Sequence, residues 1–322
     1  GLVLLYGCFY YMPCYNPMQV NFSVIDGKKI IDFSSVTPIR NFIDGVPHFF
    51  PESVMALPCG ACIGCRLEHS RQWAMRIMHE SEMHEHNCFL TLTYAPEHLP
   101  SDNSLHKKHF VDFMKRLRIA VSRGTHPAFV SDGVRYYHCG EYGERFARPH
   151  YHACMFGLRL LDLEQFKSGK FPLFTSKTLT DLWGFGYVVV GELTFESSAY
   201  VARYCTKKIT GQKAPDHYQG RQPEYSTMSR RPGIGATWYE KYKNDIYPDD
   251  FLVVRGHKCG VPRFYDKLLD RENPDLLLQL KQDRLLRARE NPDNTYERLK
   301  IREFCVSDKF YRKIRSYESL YD

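Results

Sequence analysis

Two histidines straddle a tyrosine in RPHYHACMFG, residues 148–157, a run that otherwise reads as buried strand. Side chains alternate along a strand, so His150 and His152 project from one face about 7 Å apart while Tyr151 points away. Two imidazoles so placed can share a divalent cation once a carboxylate from the neighbouring strand joins them. Glu141 and Glu144 are the candidates; Glu141 is favoured because it ends the preceding strand and the turn GERFARP folds it back beside His150. Alone, a His-x-His pair is also what a solvent-facing strand carries.

Downstream, AYVARYCTKK (199–208) sets Tyr200 and Tyr204 one helical turn apart, with Lys207 and Lys208 beyond them. A phenol with a pKa of about 10 is a nucleophile only where cations help it shed its proton. The structural alternative is ordinary too: tyrosines at this spacing pack cores, and lysines at a helix end are favoured by its dipole. A third cluster, PCGACIGCR, places Cys59, Cys62 and Cys65 in a C-x2-C-x2-C array just before a helical pattern. Structural zinc takes four ligands, and Cys14 in MPCYNP is the expected fourth, with Cys8 as an alternative. An iron–sulfur cluster uses similar spacing, and free buried thiols remain a further reading. Cys88, Cys139, Cys154 and Cys205 fall inside periodic segments and read as small core residues.

The elements that must position these groups follow from periodicity. Leu67, Trp73, Ile77 and Met78 mark an amphipathic helix over 66–85, and CFLTLTY (88–94) is an apolar, β-branched strand. A helix over 105–121 carries Phe110, Phe113, Met114 and Leu117 on one face. Strands at 134–142 and 150–157 follow, then a short helix in TSKTLTDLWG, the strand YVVVGEL, and a helix in SSAYVARYCTKKI with Ser197 or Ser198 as N-cap. The order β-α-β-β-α-β-α predicts an α+β fold of the split β-α-β kind, a mainly antiparallel sheet with helices on one face. The expected organisation is a leader at 1–11, ahead of the first methionine Met12; a cysteine-bearing segment at 12–87; the core at 88–210; a Gly/Arg-rich segment at 211–264; and a basic helical extension at 265–322.

A chain of 322 residues with 43% hydrophobic and 25% charged residues suits one substantial core with attached segments. The net charge of +7 is a moderate basic excess, concentrated in residues 255–322, which hold 16 Lys or Arg against 12 Asp or Glu. That points only broadly towards nucleic acid. No run approaches the roughly 20 apolar residues of a membrane span, so neither membrane nor export is expected. Eleven cysteines, an odd number in a chain of this size, suit a reducing compartment.

Four pieces, FLTLTY (89–94), CGEYGERFARPHYHACMFG (139–157), YVARYCTKK (200–208) and MSRRPGIG (228–235), together resemble the replication initiators of microviruses, most closely the gokushovirus branch. These belong to the His-hydrophobic-His (HUH) endonuclease superfamily. The resemblance implies that His150 and His152, with Glu141 as third ligand, hold Mg²⁺ or Mn²⁺, and that Tyr200 and Tyr204 are nucleophiles. It implies nicking and rejoining of single-stranded DNA at a phage origin by transesterification, giving a 5′-phosphotyrosine and a free 3′-OH for rolling-circle replication without ATP. Lys207 and Lys208 would face phosphate, Lys208 being the better placed; Thr91, Thr93 and Tyr94 would lie beside the DNA, and Arg230 and Arg231 near its backbone. Arg284, Arg287, Arg289, Lys309, Arg312, Lys313 and Arg315 would add nonspecific, salt-sensitive strand binding. Host helicase and polymerase are the expected partners, and the bacterial host cytoplasm the expected compartment. The competing readings are a noncatalytic single-stranded DNA-binding or packaging module and a metal-dependent phosphodiesterase that uses water.

Overall fold

The computed structural model describes residues 14–25, 28–38, 42–43, 46–47, 54–122, 128–143, 146–207 and 214–312. Two compact units divide it, one of Ser70–Lys241 and one of the chain up to His69 with Tyr242–Arg315.

The first unit is built on strands that earn burial on both faces. β6 (Asn87–Tyr94) and β8 (Pro149–Leu160) are buried along almost their whole length, as their unbroken apolar runs require of central strands. β7 (Phe129–Tyr142) pairs with β8 as a hairpin, and β11 (Gly186–Gly191) with β6. β9 (Leu163–Lys167), β10 (Leu173–Ser176) and β12 (Tyr225–Met228), none anticipated from periodicity, complete a seven-stranded sheet in the order β12-β7-β8-β6-β11-β10-β9. They were hidden by length: four or five residues carry too few alternations to register. Every pairing in this sheet is antiparallel.

Helices cover both faces of the sheet, not one. α2 (Lys107–Ser122) and α3 (Lys177–Trp183) pack Phe110, Phe113, Leu117 and Trp183 against Leu90, Leu92, Tyr151 and Met155. The opposite face sets Phe89, Tyr137, Cys154 and Phe156 against Ile77 of α1 (Ile63–Ser81) and Tyr200 and Val201 of α4 (Phe195–Lys207). Each fully buried aliphatic or aromatic side chain contributes about 1.5–3 kcal/mol, so the two layers hold the sheet from both sides. Local signals end the helices where the chemistry dictates. Ser176 Oγ accepts from Leu179 N to cap α3, and Gly184 closes it in the left-handed region at φ 71°. The cap of α4 is Thr194, not Ser197 or Ser198. Thr194 Oγ1 accepts from Ser197 N while Ser197 Oγ accepts from Thr194 N, a reciprocal pairing that starts the helix earlier than the two serines suggest. Further along the chain lie α5 (Ala214–Tyr218) and α6 (Ala236–Ile246).

In α1, His79 stacks on Trp238 with ring centroids 3.6 Å apart and is buried. Burial pushes its pKa down from 6.5 to about 3, so the native ring stays neutral. The unfolded chain takes up a proton near pH 6.5 that the native state refuses until about pH 3, so stability falls as pH drops through that window. His79→Phe should reduce the stability lost between pH 7.5 and 5.5 by about 1.4 kcal/mol, read from urea unfolding midpoints at the two pH values. An unchanged difference would show that His79 is not titrating in this way.

The second unit carries a three-stranded sheet, β2 (Lys28–Pro38), β1 (Met18–Ile25), β5 (Val54–Leu57), consistent with the β-like pieces VNFSVI and KIIDF. Short hairpins β3–β4 (Phe42–Ile43, Val46–Pro47) and β13–β14 (Leu252–Val254, His257–Cys259) lie within it. Its helices α7 (Arg263–Glu272), α8 (Pro274–Glu290) and α9 (Tyr296–Arg312) break at the RENPD and RENPDN turns, where Asn273 caps α8 by accepting from Leu276 N. Arg284 does not offer its charge outward: its guanidinium is taken up by Asp250 and Asp266, and Arg287 pairs with Asp250 at 3.0 Å. Arg312 pairs with Asp308. Lys313, Arg315 and the side chain of Arg289 lie outside the described residues, as do residues 1–11. Among the described residues no helix is long and apolar enough to cross a membrane.

Candidate active site

The β7–β8 register places Glu141 directly opposite His150, and Cys139 opposite His152. On the other flank β6 sets Thr93 opposite His150 and Thr91 opposite His152. Alternation then puts Thr91, Glu141, His150 and His152 on the face covered by α1 and α4. One Glu141 oxygen, Oε1, stands 2.8 Å from His150 Nε2 and 2.8 Å from His152 Nε2. The three potential ligand atoms all lie within 4.8 Å of one another.

The outer nitrogens fix which way the imidazoles present themselves. His150 Nδ1 faces the Arg148 carbonyl at 3.1 Å, which can only accept, so Nδ1 carries the proton and a neutral His150 turns a bare Nε2 towards Glu141. His152 Nδ1 meets Thr91 Oγ1 at 3.0 Å, an outer contact of the kind that orients a ligating histidine. Glu141 is only 2% exposed, and its second oxygen, Oε2, is buried with no hydrogen-bond partner among the described residues. Burial pushes its carboxyl up, and the two imidazoles more than offset that, holding it at about 2. An ionised, buried carboxylate oxygen facing bare nitrogen lone pairs is repulsive unless positive charge lies between them. The donor set of two imidazoles and one carboxylate fits a divalent ion such as Mg²⁺ or Mn²⁺ that leaves positions open for other oxygens.

Tyr200 reaches this cluster from α4. Its ring is buried, 3% exposed, packed on His152 with centroids 5.2 Å apart, and its hydroxyl donates towards Glu141 Oε1 at 3.5 Å. The helix continues through Tyr204 to Lys207, whose side chains lie outside the described residues, as do Lys208 and Glu144.

Of the residues expected beside DNA, Thr91 is buried and engaged with His152, and Thr93 is half-buried, its hydroxyl reaching the Tyr187 carbonyl at 3.4 Å. Tyr94 departs from expectation. It faces the opposite layer, buried, with its hydroxyl 2.7 Å from both Tyr151 Oη and His109 Nδ1. Strand alternation decides this, because Tyr94 shares parity with the core residues Leu90 and Leu92. Arg230 and Arg231 are exposed. Their loop is anchored from below by a network that sequence reading missed. Arg135 Nη2 donates to Pro232 O at 2.8 Å, Arg76 Nε to Ile234 O at 3.0 Å, and Gly235 N to Glu80 Oε2 at 2.7 Å, while Glu80 also pairs with Arg135. The available signal was Glu80 itself, a carboxylate three residues after Ile77 on the apolar side of its helix.

The family model for the replication-associated protein ORF2 matches residues 87–209, the segment that holds Glu141, His150, His152 and Tyr200. Replication-associated protein ORF2 of Spiroplasma virus 4 is 35% identical over 279 residues, covering 82% of each chain. Replication-associated protein VP4 of Bdellovibrio phage phiMH2K is 34% identical over 238 residues, 73% of this chain and 74% of the relative. Replication-associated protein ORF4 of Chlamydia phage 1 is 32% identical over 234 residues, 70% of this chain and 56% of the relative. No solved structure matches this chain. A mainly antiparallel α+β unit with a carboxylate and two imidazoles converging on its central hairpin thus belongs, on sequence identity across most of its length, to the microvirus replication-associated proteins of the ORF2 family.

Proposed function

We propose that this chain is the origin nickase and rejoining enzyme of phage rolling-circle replication. The observation that carries the reading is the convergence of His150 Nε2, His152 Nε2 and the Tyr200 hydroxyl on one Glu141 oxygen. Glu141, His150 and His152 would hold Mg²⁺ or Mn²⁺, which when bound supplies Lewis-acid charge to a scissile phosphate. Thr91 and the Arg148 carbonyl hold the two imidazoles in the tautomer that leaves Nε2 free. Tyr200 Oη attacks the phosphorus of a DNA linkage, the P–O3′ bond breaks, and the proton lost by the phenol ends on the departing 3′ oxygen. The products are a 5′-phosphotyrosine and a free 3′-OH, with one phosphodiester exchanged for another and no need for ATP. Glu141 is too weak a base at about 2 to take the phenol proton for keeps, so its contact with Tyr200 serves to aim the hydroxyl. Tyr204, one turn on, is the second nucleophile that cleaves the regenerated origin while the first holds the strand, with Lys207 and Lys208 facing phosphate. Exposed Arg230 and Arg231 would contact the backbone of single-stranded DNA at the origin, and unwinding and synthesis would fall to the host helicase and polymerase.

The test is incubation of a labelled single-stranded origin oligonucleotide with the protein and Mn²⁺, followed by denaturing electrophoresis. A labelled protein–DNA band lost in the Tyr200→Phe/Tyr204→Phe double variant is expected. Cut DNA without adduct would favour attack by water, and a shift seen only in native gels would favour a binding module; either outcome overturns the tyrosine mechanism.

A further inference from the structure

The second unit contains a cluster that the nickase reading leaves unused. Cys14, Cys59, Cys62 and Cys65 bring their four sulfurs within 4.8 Å of one another, and none forms a disulfide. Cys14 and Cys62 are buried, and Cys59 and Cys65 half-buried. The spacing Cys59-x2-Cys62-x2-Cys65 is wound onto the first turn of α1, while Cys14 arrives from a segment 45 residues before Cys59. Backbone amides are aimed at the sulfurs: Cys59 N donates to Cys14 Sγ at 3.2 Å, Cys62 N to Cys59 Sγ at 3.3 Å and Tyr15 N to Cys62 Sγ at 3.3 Å. The middle contact depends on a knuckle in which Gly60 takes φ +72°, a conformation costly for other residues.

We infer that these four cysteines form a closed, structural Zn²⁺ site. Zinc–sulfur bonds of about 2.3 Å in a tetrahedron put sulfurs about 3.8 Å apart, a small contraction of the observed cluster. An iron–sulfur cluster spreads its thiolates around several irons, whereas here all four converge on one point. On binding, each thiol releases its proton, and four thiolates around a dication leave a net charge of −2 that the three amide donors partly screen. With all four positions filled by protein no place remains for substrate, so the ion serves architecture. It fastens the Cys14–Asn16 peptide to α1, where Tyr15, Ile63, Leu67, Leu299, Val306 and Phe310 pack around the sulfurs. Asn16 adds a 2.9 Å hydrogen bond to Glu303, so α9 is tied to the same peptide.

Elemental analysis of the full-length protein after passage over a chelating resin should give one zinc per chain, and a mercurial thiol reagent should release it as four thiols react. Protein grown with Co²⁺ should show the sulfur-to-metal charge transfer and visible bands of a tetrahedral thiolate site. The His150→Ala/His152→Ala protein should keep its zinc, whereas Cys62→Ser and Cys65→Ser should lose it; the wild-type stoichiometry stands even if those serine variants fail to fold. Absent or substoichiometric zinc, disulfides among these cysteines in alkylated protein, iron with inorganic sulfide, or zinc that departs with the histidines would each overturn the site. The histidine control makes this result independent of whether the chain nicks DNA.

Discussion

His152→Ala should slow covalent capture of a single-stranded origin oligonucleotide on the order of 10³-fold, more than the 10–100-fold typical of losing a residue that merely orients a ligand. His152 is fully buried, stacks on Phe89 at 5.5 Å, and meets Thr91 and Glu141 through its two nitrogens. Its removal strands a buried carboxylate with one imidazole, so both the electrostatics and the aim of Tyr200 suffer. Because the ring is also a packing element, His150→Ala is the companion: 14% exposed, it should lose comparable activity with little change in unfolding midpoint. Both variants should still retard the oligonucleotide in native gels, since binding draws on phosphate contacts elsewhere. Adduct formation at the wild-type rate in both variants would refute the assignment of these histidines.

Glu80→Ala should cost about 3 kcal/mol of stability, at the lower end for breaking a buried ion pair because Arg135 keeps 18% exposure. Glu80 is 1% exposed and serves three donors at once, Arg135, His84 and the Gly235 amide. Burial pushes its carboxyl up, but these partners win and hold it below the ordinary value. Its contribution is therefore present above the unfolded pKa and fades as pH falls through the lower native one. Without that carboxylate the 230–235 loop loses its amide anchor, so DNA affinity and its salt dependence should both decline in titrations at two ionic strengths. Unfolding curves that superimpose on the wild type would show that the network carries no load.

Much of this was legible before any coordinates. His150, His152 and Glu141 could be paired because strand alternation and a short turn leave few arrangements, and the β7–β8 register agrees with that reading. α8 and α9 were marked by Asn-Pro-Asp turns, whose capping chemistry is local. What escaped notice was non-local. Tyr94 follows a threonine that faces the histidines and so turns inward, and Arg284 finds Asp250 and Asp266 across sequence gaps that no periodicity encodes. Strands β9, β10 and β12 are recruited by the sheet and not by their own propensity, which is a tertiary effect.

That seven-stranded sheet ends in β12 at one side and β9 at the other, four and five residues long. β9 presents exposed Leu163, Glu164, Gln165 and Phe166, so a carboxylate interrupts what apolar surface it has. Brief and charged borders of this kind are poor templates for a neighbouring copy, whereas a long flat margin invites stacking into aggregates. A β-rich polypeptide can thereby accumulate in quantity while its ligand-bearing hairpin, buried mid-sheet, stays out of reach of such misassembly.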